Sequence, residues 1–139
     1  MSSPEKLLKG ALYYANLGWK VHPCHGILDS GMCSCNGRHD DPKDIGKHPA
    51  TPNGHSDASS DAVQIESWWR TNPIYNAGVF CRDSGFFVLD IDPRSGGLES
   101  YARFESLVEG DIPNTITALT GTYNVRGHGP VRGRHQYYR

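Results

Sequence analysis

Asp90 and Asp92 stand one residue apart at the end of an apolar run, Phe86-Phe87-Val88-Leu89. Side chains alternate faces along a strand, so the two carboxylates fall on one side and Ile91 on the other. Carboxylates at that spacing repel each other unless a cation lies between them. Hard divalent ions such as Mg²⁺ take oxygen ligands of this kind together with substrate phosphates. In two-metal sites such ions clamp the attacking and leaving oxygens of a phosphoryl displacement. The apolar strand then serves as a rigid mount for a metal-binding pair.

A second group of chemically able residues lies earlier in the chain. Three of the four cysteines, Cys24, Cys33 and Cys35, fall within twelve residues, and His22, His25, His39 and His48 are interleaved with or close to them. Such clustering favours metal over disulfides in a cytosolic chain. Zinc takes four nitrogen or sulfur ligands in structural sites. Cys33 and Cys35 are the leading ligands, and Cys24 and His48 compete for a further place. A third group is basic. The last fourteen residues, RGHGPVRGRHQYYR, hold Arg126, Arg132, Arg134 and Arg139 and no acid. A formal net charge of −1 gives no bulk signal of nucleic-acid binding, so any polyanion is met by a local patch of this kind.

These groups need elements to hold them. The 139 residues suffice for one domain with a core. No run of eighteen apolar residues suggests a membrane span, and MSSPEKLLKG lacks the pattern of a signal peptide, which reads as a cytoplasmic protein with no membrane partner. SSPEKLLKGALYYANLG has the spacing of an amphipathic helix, capped by Ser2 or Ser3 and ended by Gly18. WKVHP reads as a short strand. Residues 24–56 are rich in Gly, Asp, Pro, His and Cys and need a source of order other than a core, such as bound metal. SSDAVQIESWWRTNP predicts a second helix capped by Ser59 or Ser60, with Ile65, Trp68 and Trp69 inward. NAGVFC and GFFVLDID read as strands joined by a hairpin turn, RDSG. GGLESYARFESLVEG predicts a third helix with Leu98, Tyr101, Phe104 and Leu107 on one side. NTITALTG and RHQYYR are further strands. The expected fold is α+β, with a mainly antiparallel sheet flanked by helices.

GKHPATPNGHSDASSDAVQIESWW, NAGVFCRDSGFFVLDIDPRSGG, PNTITALTG and GRHQYYR, in that order, resemble the bifunctional primase-polymerase domain of phage and plasmid replication proteins, in the archaeo-eukaryotic primase superfamily. The resemblance runs from about Leu7 to Arg139. It implies a core related to the RNA-recognition fold, and DNA primase/polymerase activity, nucleotidyl transfer on a single-stranded DNA template with nucleoside triphosphates. It implies that Asp90 and Asp92 hold catalytic Mg²⁺ or Mn²⁺, and that His135 matches the family's second motif and contacts the incoming nucleotide. Arg134 and Lys47, the latter in GKHP, are the basic residues that assist. Members often insert a Cys-rich segment before GKHP, here CHGILDSGMCSCNGRHDDPKDIGKH within an inserted loop 24–56, and His39 stands where relatives often have a third cysteine. The zinc candidates are therefore Cys24, Cys33, Cys35, His39 and His48. The connection TYNVRGHGPVRGR is longer than usual and reads as a nucleic-acid loop with Arg126 and Arg132 on DNA phosphates. The family's third acidic motif follows the His strand, so the resemblance implies that 1–139 is the domain without its C-terminal part, with the edge of HQYYR left open. A helicase domain or protein is the expected partner.

Two other readings compete. One is a zinc-stabilised nucleotide- or DNA-binding module that lacks catalysis. The other is a rolling-circle nicking enzyme using Tyr137 or Tyr138, which needs an H-x-H pair that the sequence does not contain.

Overall fold

Leu8, Ala11, Leu12 and Ala15 recur at helical spacing, and Ser3–Asn16 forms helix α1. Ala11 and Ala15 are buried, and their small side chains let α1 lie close to its neighbours. Gly18, at φ +83°, turns the chain out of the helix, as expected of a C-terminal glycine. The computed structural model describes residues 3–37, 39–41, 44–125 and 129–139, so the expected cap Ser2 lies outside the described residues. The chain divides into two units, Met1–Gly85 and Phe86–Arg139.

In the first unit, α1 packs with helix α2 (Ala62–Thr71) and strand β1 (Val21–Cys24) around Ala11, Ala15, Val21, Ile65 and Trp69. The Trp69 indole N–H donates to the Tyr75 carbonyl at 3.0 Å, which satisfies the polar edge of a buried ring. Asp61, rather than Ser59 or Ser60, caps α2 by accepting from the Val63 N–H at 2.9 Å. Ser59 is committed elsewhere: its main chain exchanges two hydrogen bonds with Val21, and its hydroxyl accepts from the Asp61 N–H.

Strand β2 (Asn76–Val79) pairs antiparallel with β1, with His22 opposite Gly78. The expected hairpin between NAGVFC and GFFVLDID does not form. Cys81–Ser84 instead makes one helical turn, α3, closed by Gly85 at φ +71°. Ser84 Oγ donates to the Phe80 carbonyl at 2.7 Å and accepts from the Lys20 N–H at 2.8 Å. These bonds make RDSG a helical turn tied to the start of β1, where a hairpin would need a tight two-strand reversal.

The second unit is a three-stranded antiparallel sheet in the order β3-β5-β4, from β3 (Phe87–Ile91), β4 (Ile116–Val125) and β5 (Gly129–Tyr138), with helix α4 (Gly97–Leu107). Strand β5 is central, so HQYYR is not an edge; among the described residues the edges of this sheet are β3 and β4. Most of the segment expected to be a loop, TYNVRGHGPVRGR, is instead the far half of the β4–β5 hairpin, which continues past a register shift between Leu119 and Thr122. The alternation of Tyr123 and Val125 on β4 with Val131 on β5 suits paired strands. The helix face drawn from Leu98, Tyr101, Phe104 and Leu107 is only partly covered: α4 has no fully buried residue, and Leu107 is 82% exposed.

The fold is α+β with antiparallel sheets and helices, as expected, but its strands are shared between two sheets. No helix of the described residues is long and apolar enough to cross a membrane.

Candidate active site and metal centre

The register of the second sheet decides what meets what. Asp90 lies directly opposite His135, and His135 opposite Ala118. Strand alternation therefore puts Val88 and Asp90 on one face with Tyr137, His135, Ile116 and Ala118. Phe87, Leu89 and Ile91 share the other face with Tyr138, Gln136 and Arg134. Helix α4 packs on that second face, where the Arg134 guanidinium stacks 5.0 Å from the Tyr101 ring centre and Ile91 is buried. The Asp90 face is open at its polar end. The Asp90 and His135 side chains are 61% and 40% exposed, and His135 Nε2 lies 3.4 Å from Asp90 Oδ1. Arg134 is thus separated from His135 by the sheet itself.

Asp92 follows β3 and opens a short 3₁₀ turn, Pro93–Ser95. Its Oδ1 accepts from the Arg94 N–H at 2.8 Å and from Arg94 Nε at 3.1 Å, and its Oδ2 accepts from Arg94 Nη2 at 2.7 Å. These bonds hold the Asp92 carboxyl below the usual carboxylate range. Each aspartate of the pair thus has its own basic partner. The Gly96-Gly97 pair makes this geometry possible. Gly96 is left-handed at φ +73°, and the Gly97 N–H donates to the Asp92 carbonyl at 2.9 Å. A side chain at Gly97 would bring its Cβ to 2.6 Å from the Asp92 backbone. Gly133 has a similar role two residues before His135, because a Cβ there would meet Thr120 Oγ1 and stand 3.1 Å from the Ile91 carbonyl.

Arg94 and these glycines were not picked out from the sequence. The signal was present in D-P-R-S-G-G, since Asp before Pro is a capping pattern and paired glycines mark a close approach. Arg132, on the distal part of the hairpin, is exposed and donates through Nε to the Thr120 carbonyl at 3.1 Å. Arg126 lies outside the described residues.

The cysteine–histidine group is built within the first unit. Cys33, Cys35, His39 and His48 bring one ligand atom each to within 4.8 Å of one another, and they are the one such group among the described residues. Cys33 Sγ lies 3.3 Å from His48 Nε2, and Cys35 Sγ lies 3.1 Å from His39 Nε2. Zinc–sulfur and zinc–nitrogen bonds of roughly 2.0–2.3 Å put tetrahedral ligand atoms about this far apart. Soft thiolates with imidazoles suit zinc, and the group could hold it.

The main chain supports the arrangement. Gly46 N–H points at Cys33 Sγ (3.4 Å) and Gly37 N–H at Cys35 Sγ (3.2 Å). Burial pushes the Cys33 thiol up, but N–H groups of Cys35 and Gly46, the Cys35 side chain and His48 outweigh it and bring the thiol down to about 6. His48 is anchored to the end of β1, because its carbonyl accepts from the His25 N–H at 2.9 Å. Of the competing Cys24 and His48, the structure brings His48 into this group. Cys24 is buried on β1 with its sulfur 3.6 Å from His22 Nδ1, and burial pushes its thiol up to about 11. His22 and Cys24 fill the space over Gly78, where any Cβ would lie 2.6 Å from His22 Nε2 and 2.8 Å from the Cys24 sulfur. Lys47 is exposed beside His48 in the first unit, whereas Asp90, Asp92 and His135 belong to the second.

A family model described as bifunctional DNA primase/polymerase, N-terminal, matches residues 11–139. The chain belongs to that family. No curated protein and no solved structure matches it. For a primase/polymerase domain, the features above fall into two kinds: a carboxylate–histidine face on a sheet, and a thiolate–imidazole cluster in a loop.

Proposed function

We propose that this primase/polymerase domain performs template-dependent nucleotidyl transfer in phage or plasmid DNA replication, by a two-metal mechanism at Asp90 and Asp92. The observation that carries the reading is the cross-strand pair Asp90–His135, exposed on the sheet face opposite α4. The oxygens of Asp90 and Asp92 are of the kind that Mg²⁺ or Mn²⁺ prefers. Bound there, such ions would neutralise the triphosphate and activate the attacking 3′-hydroxyl. His135, one strand away, donates to a phosphate oxygen of the incoming nucleotide, since a protonated imidazole offers two N–H groups. Arg132 and Arg126 meet phosphates of single-stranded DNA, a contact that is sequence-independent and weakened by salt. Arg134 supports the sheet from its other face. Cys33, Cys35, His39 and His48 hold a structural zinc ion within the 24–56 insertion of a single 1–139 domain, which works with a helicase.

One observation favours a second reading, a zinc-stabilised module that binds nucleotide or DNA without catalysis. Among the described residues no third carboxylate gathers with Asp90 and Asp92. Template-directed incorporation of labelled nucleotides on single-stranded DNA, with Mg²⁺ or Mn²⁺, separates the two. The enzyme reading expects incorporation that Asp90→Asn and His135→Ala abolish. Binding of triphosphate with no incorporation by any variant supports the module instead.

A further inference from the structure

The Asp92–Arg94 contact is more than a cap. The backbone N–H and the guanidinium fork of one residue occupy both oxygens of one acid, with four hydrogen bonds of 2.7–3.2 Å. A carboxylate has about four lone-pair sites, so little of Asp92 is left for another cation. Asp90, two residues away, is engaged differently, by a single imidazole nitrogen at 3.4 Å. The guanidinium also lies 4.5 Å from the ring centre of Tyr123 on β4, a flat surface that holds its plane while its outer edge stays in solvent. More than half of the Arg94 side chain is exposed, so it can leave Asp92 without disturbing a core.

We propose that Arg94 is an exchangeable counter-ion: it holds Asp92 until a divalent metal takes that carboxylate, and the released guanidinium then binds the phosphates that arrive with the metal. The inference rests on the reading of Asp92 as a metal ligand. Charge balance drives it. Asp92 keeps one cationic partner throughout, and Arg94 passes from one anion to another within reach of the same two-residue tether. An arginine fork matches a phosphate as well as it matches a carboxylate. The geometry also keeps the two aspartates from repelling each other in the absence of substrate.

The exchange makes effects of opposite sign. Without triphosphate, Arg94 competes with metal; with triphosphate, it helps. The test uses the zinc-loaded full chain, with free Mn²⁺ followed by its electron paramagnetic resonance signal, and a labelled nucleoside triphosphate titrated separately in saturating Mn²⁺. Arg94→Ala is expected to bind Mn²⁺ about two- to fivefold tighter, the scale of one exposed ion pair. The same variant is expected to bind triphosphate about tenfold more weakly, the scale of a lost charge-assisted hydrogen bond. Arg94→Lys keeps the charge without the fork and falls between on both counts. Damage to the fold would weaken both bindings together, and that outcome overturns the proposal. Unchanged Mn²⁺ affinity in Arg94→Ala overturns it too, while loss of Mn²⁺ binding in Asp92→Asn still upholds the metal role of Asp92. If Asp92→Asn binds Mn²⁺ like the unaltered chain, the metal reading fails and the exchange fails with it.

Discussion

The cysteine–histidine cluster, which could hold a metal, and the carboxylate pair, proposed to hold one, are organised in opposite ways. In the cluster four ligand atoms already converge within 4.8 Å, with backbone N–H groups aimed at both sulfurs. In the carboxylate pair each acid faces a separate basic side chain, the His135 imidazole for Asp90 and the Arg94 guanidinium for Asp92. The difference suits the roles proposed for them. A structural ion has to order a stretch with few apolar residues, so its ligands are committed in advance. An ion that comes and goes with substrate needs carboxylates that are exposed and balanced by groups able to move aside.

The comparison is broken most severely by removing the zinc ligands. Cys33→Ser, or treatment of the protein with a strong chelator, is expected to lower stability by about 4 kcal/mol or more, the range for loss of a structural metal. Thermal unfolding together with zinc content checks this, and an unaltered melting profile in metal-free protein would mean that the loop is ordered by its own contacts. Cys24→Ala should keep a full equivalent of zinc, which separates the buried thiol on β1 from the four ligands.

Next in size is the backbone that shapes the acidic site. Gly97→Ala drives a Cβ to 2.6 Å from the Asp92 main chain. The cost is expected to be about 1–3 kcal/mol, as for other overpacked sites. Denaturant unfolding measures it, and a change below about 0.5 kcal/mol would show that the start of α4 can shift freely.

The two regions also differ in how much of them the sequence revealed. Strand alternation singled out Asp90 and Asp92 in the sequence, and the ordered set of motifs singled out His135, which the register sets opposite Asp90. The α1 and α2 helices were legible from their apolar spacing, and Cys33 and Cys35 of the cluster from their chemistry, which left Cys24 and His48 in competition. The arrangement of strands was not. NAGV and FVLDI look like a hairpin locally, but β1 competes for NAGV and wins with a full four-residue register. Arg134 looked like a partner of His135 because it is adjacent in sequence, although adjacency on a strand means opposite faces. Arg94 was hidden for the converse reason: its role depends on a turn that only the Gly96-Gly97 pair permits.

A smaller effect tests the electrostatics of the cysteines in metal-free protein. Cys33 has a folded value of about 6, below that of a free thiol. Its contribution to stability is therefore complete above the unfolded value and is lost as pH falls toward 6. Cys24 behaves in reverse: its thiol is raised to about 11, so its contribution is complete below the unfolded value and is lost as pH rises toward 11. A thiolate midpoint near 6 in metal-free protein, removed by Cys33→Ser, would mean that the loop keeps this geometry without zinc, whereas an ordinary thiol midpoint is the result expected if zinc orders the loop; no midpoint below pH 9 should depend on Cys24. The smallest effect is expected of Asp90→Asn. It should leave stability within about 0.5 kcal/mol, since an exposed ion pair contributes little. Loss of more than that in unfolding measurements would make Asp90 part of the scaffold rather than of an open site.

The central claim is that the Asp90–His135 face handles metal-bound triphosphate. Titration of the zinc-loaded chain with a labelled nucleoside triphosphate, in Mg²⁺ and again in a chelator too weak to strip the zinc, tests it most directly. The account predicts binding that requires Mg²⁺, is lost in Asp90→Asn and is weakened about tenfold in His135→Ala. Equal affinity with and without Mg²⁺, unchanged in both variants, would contradict it.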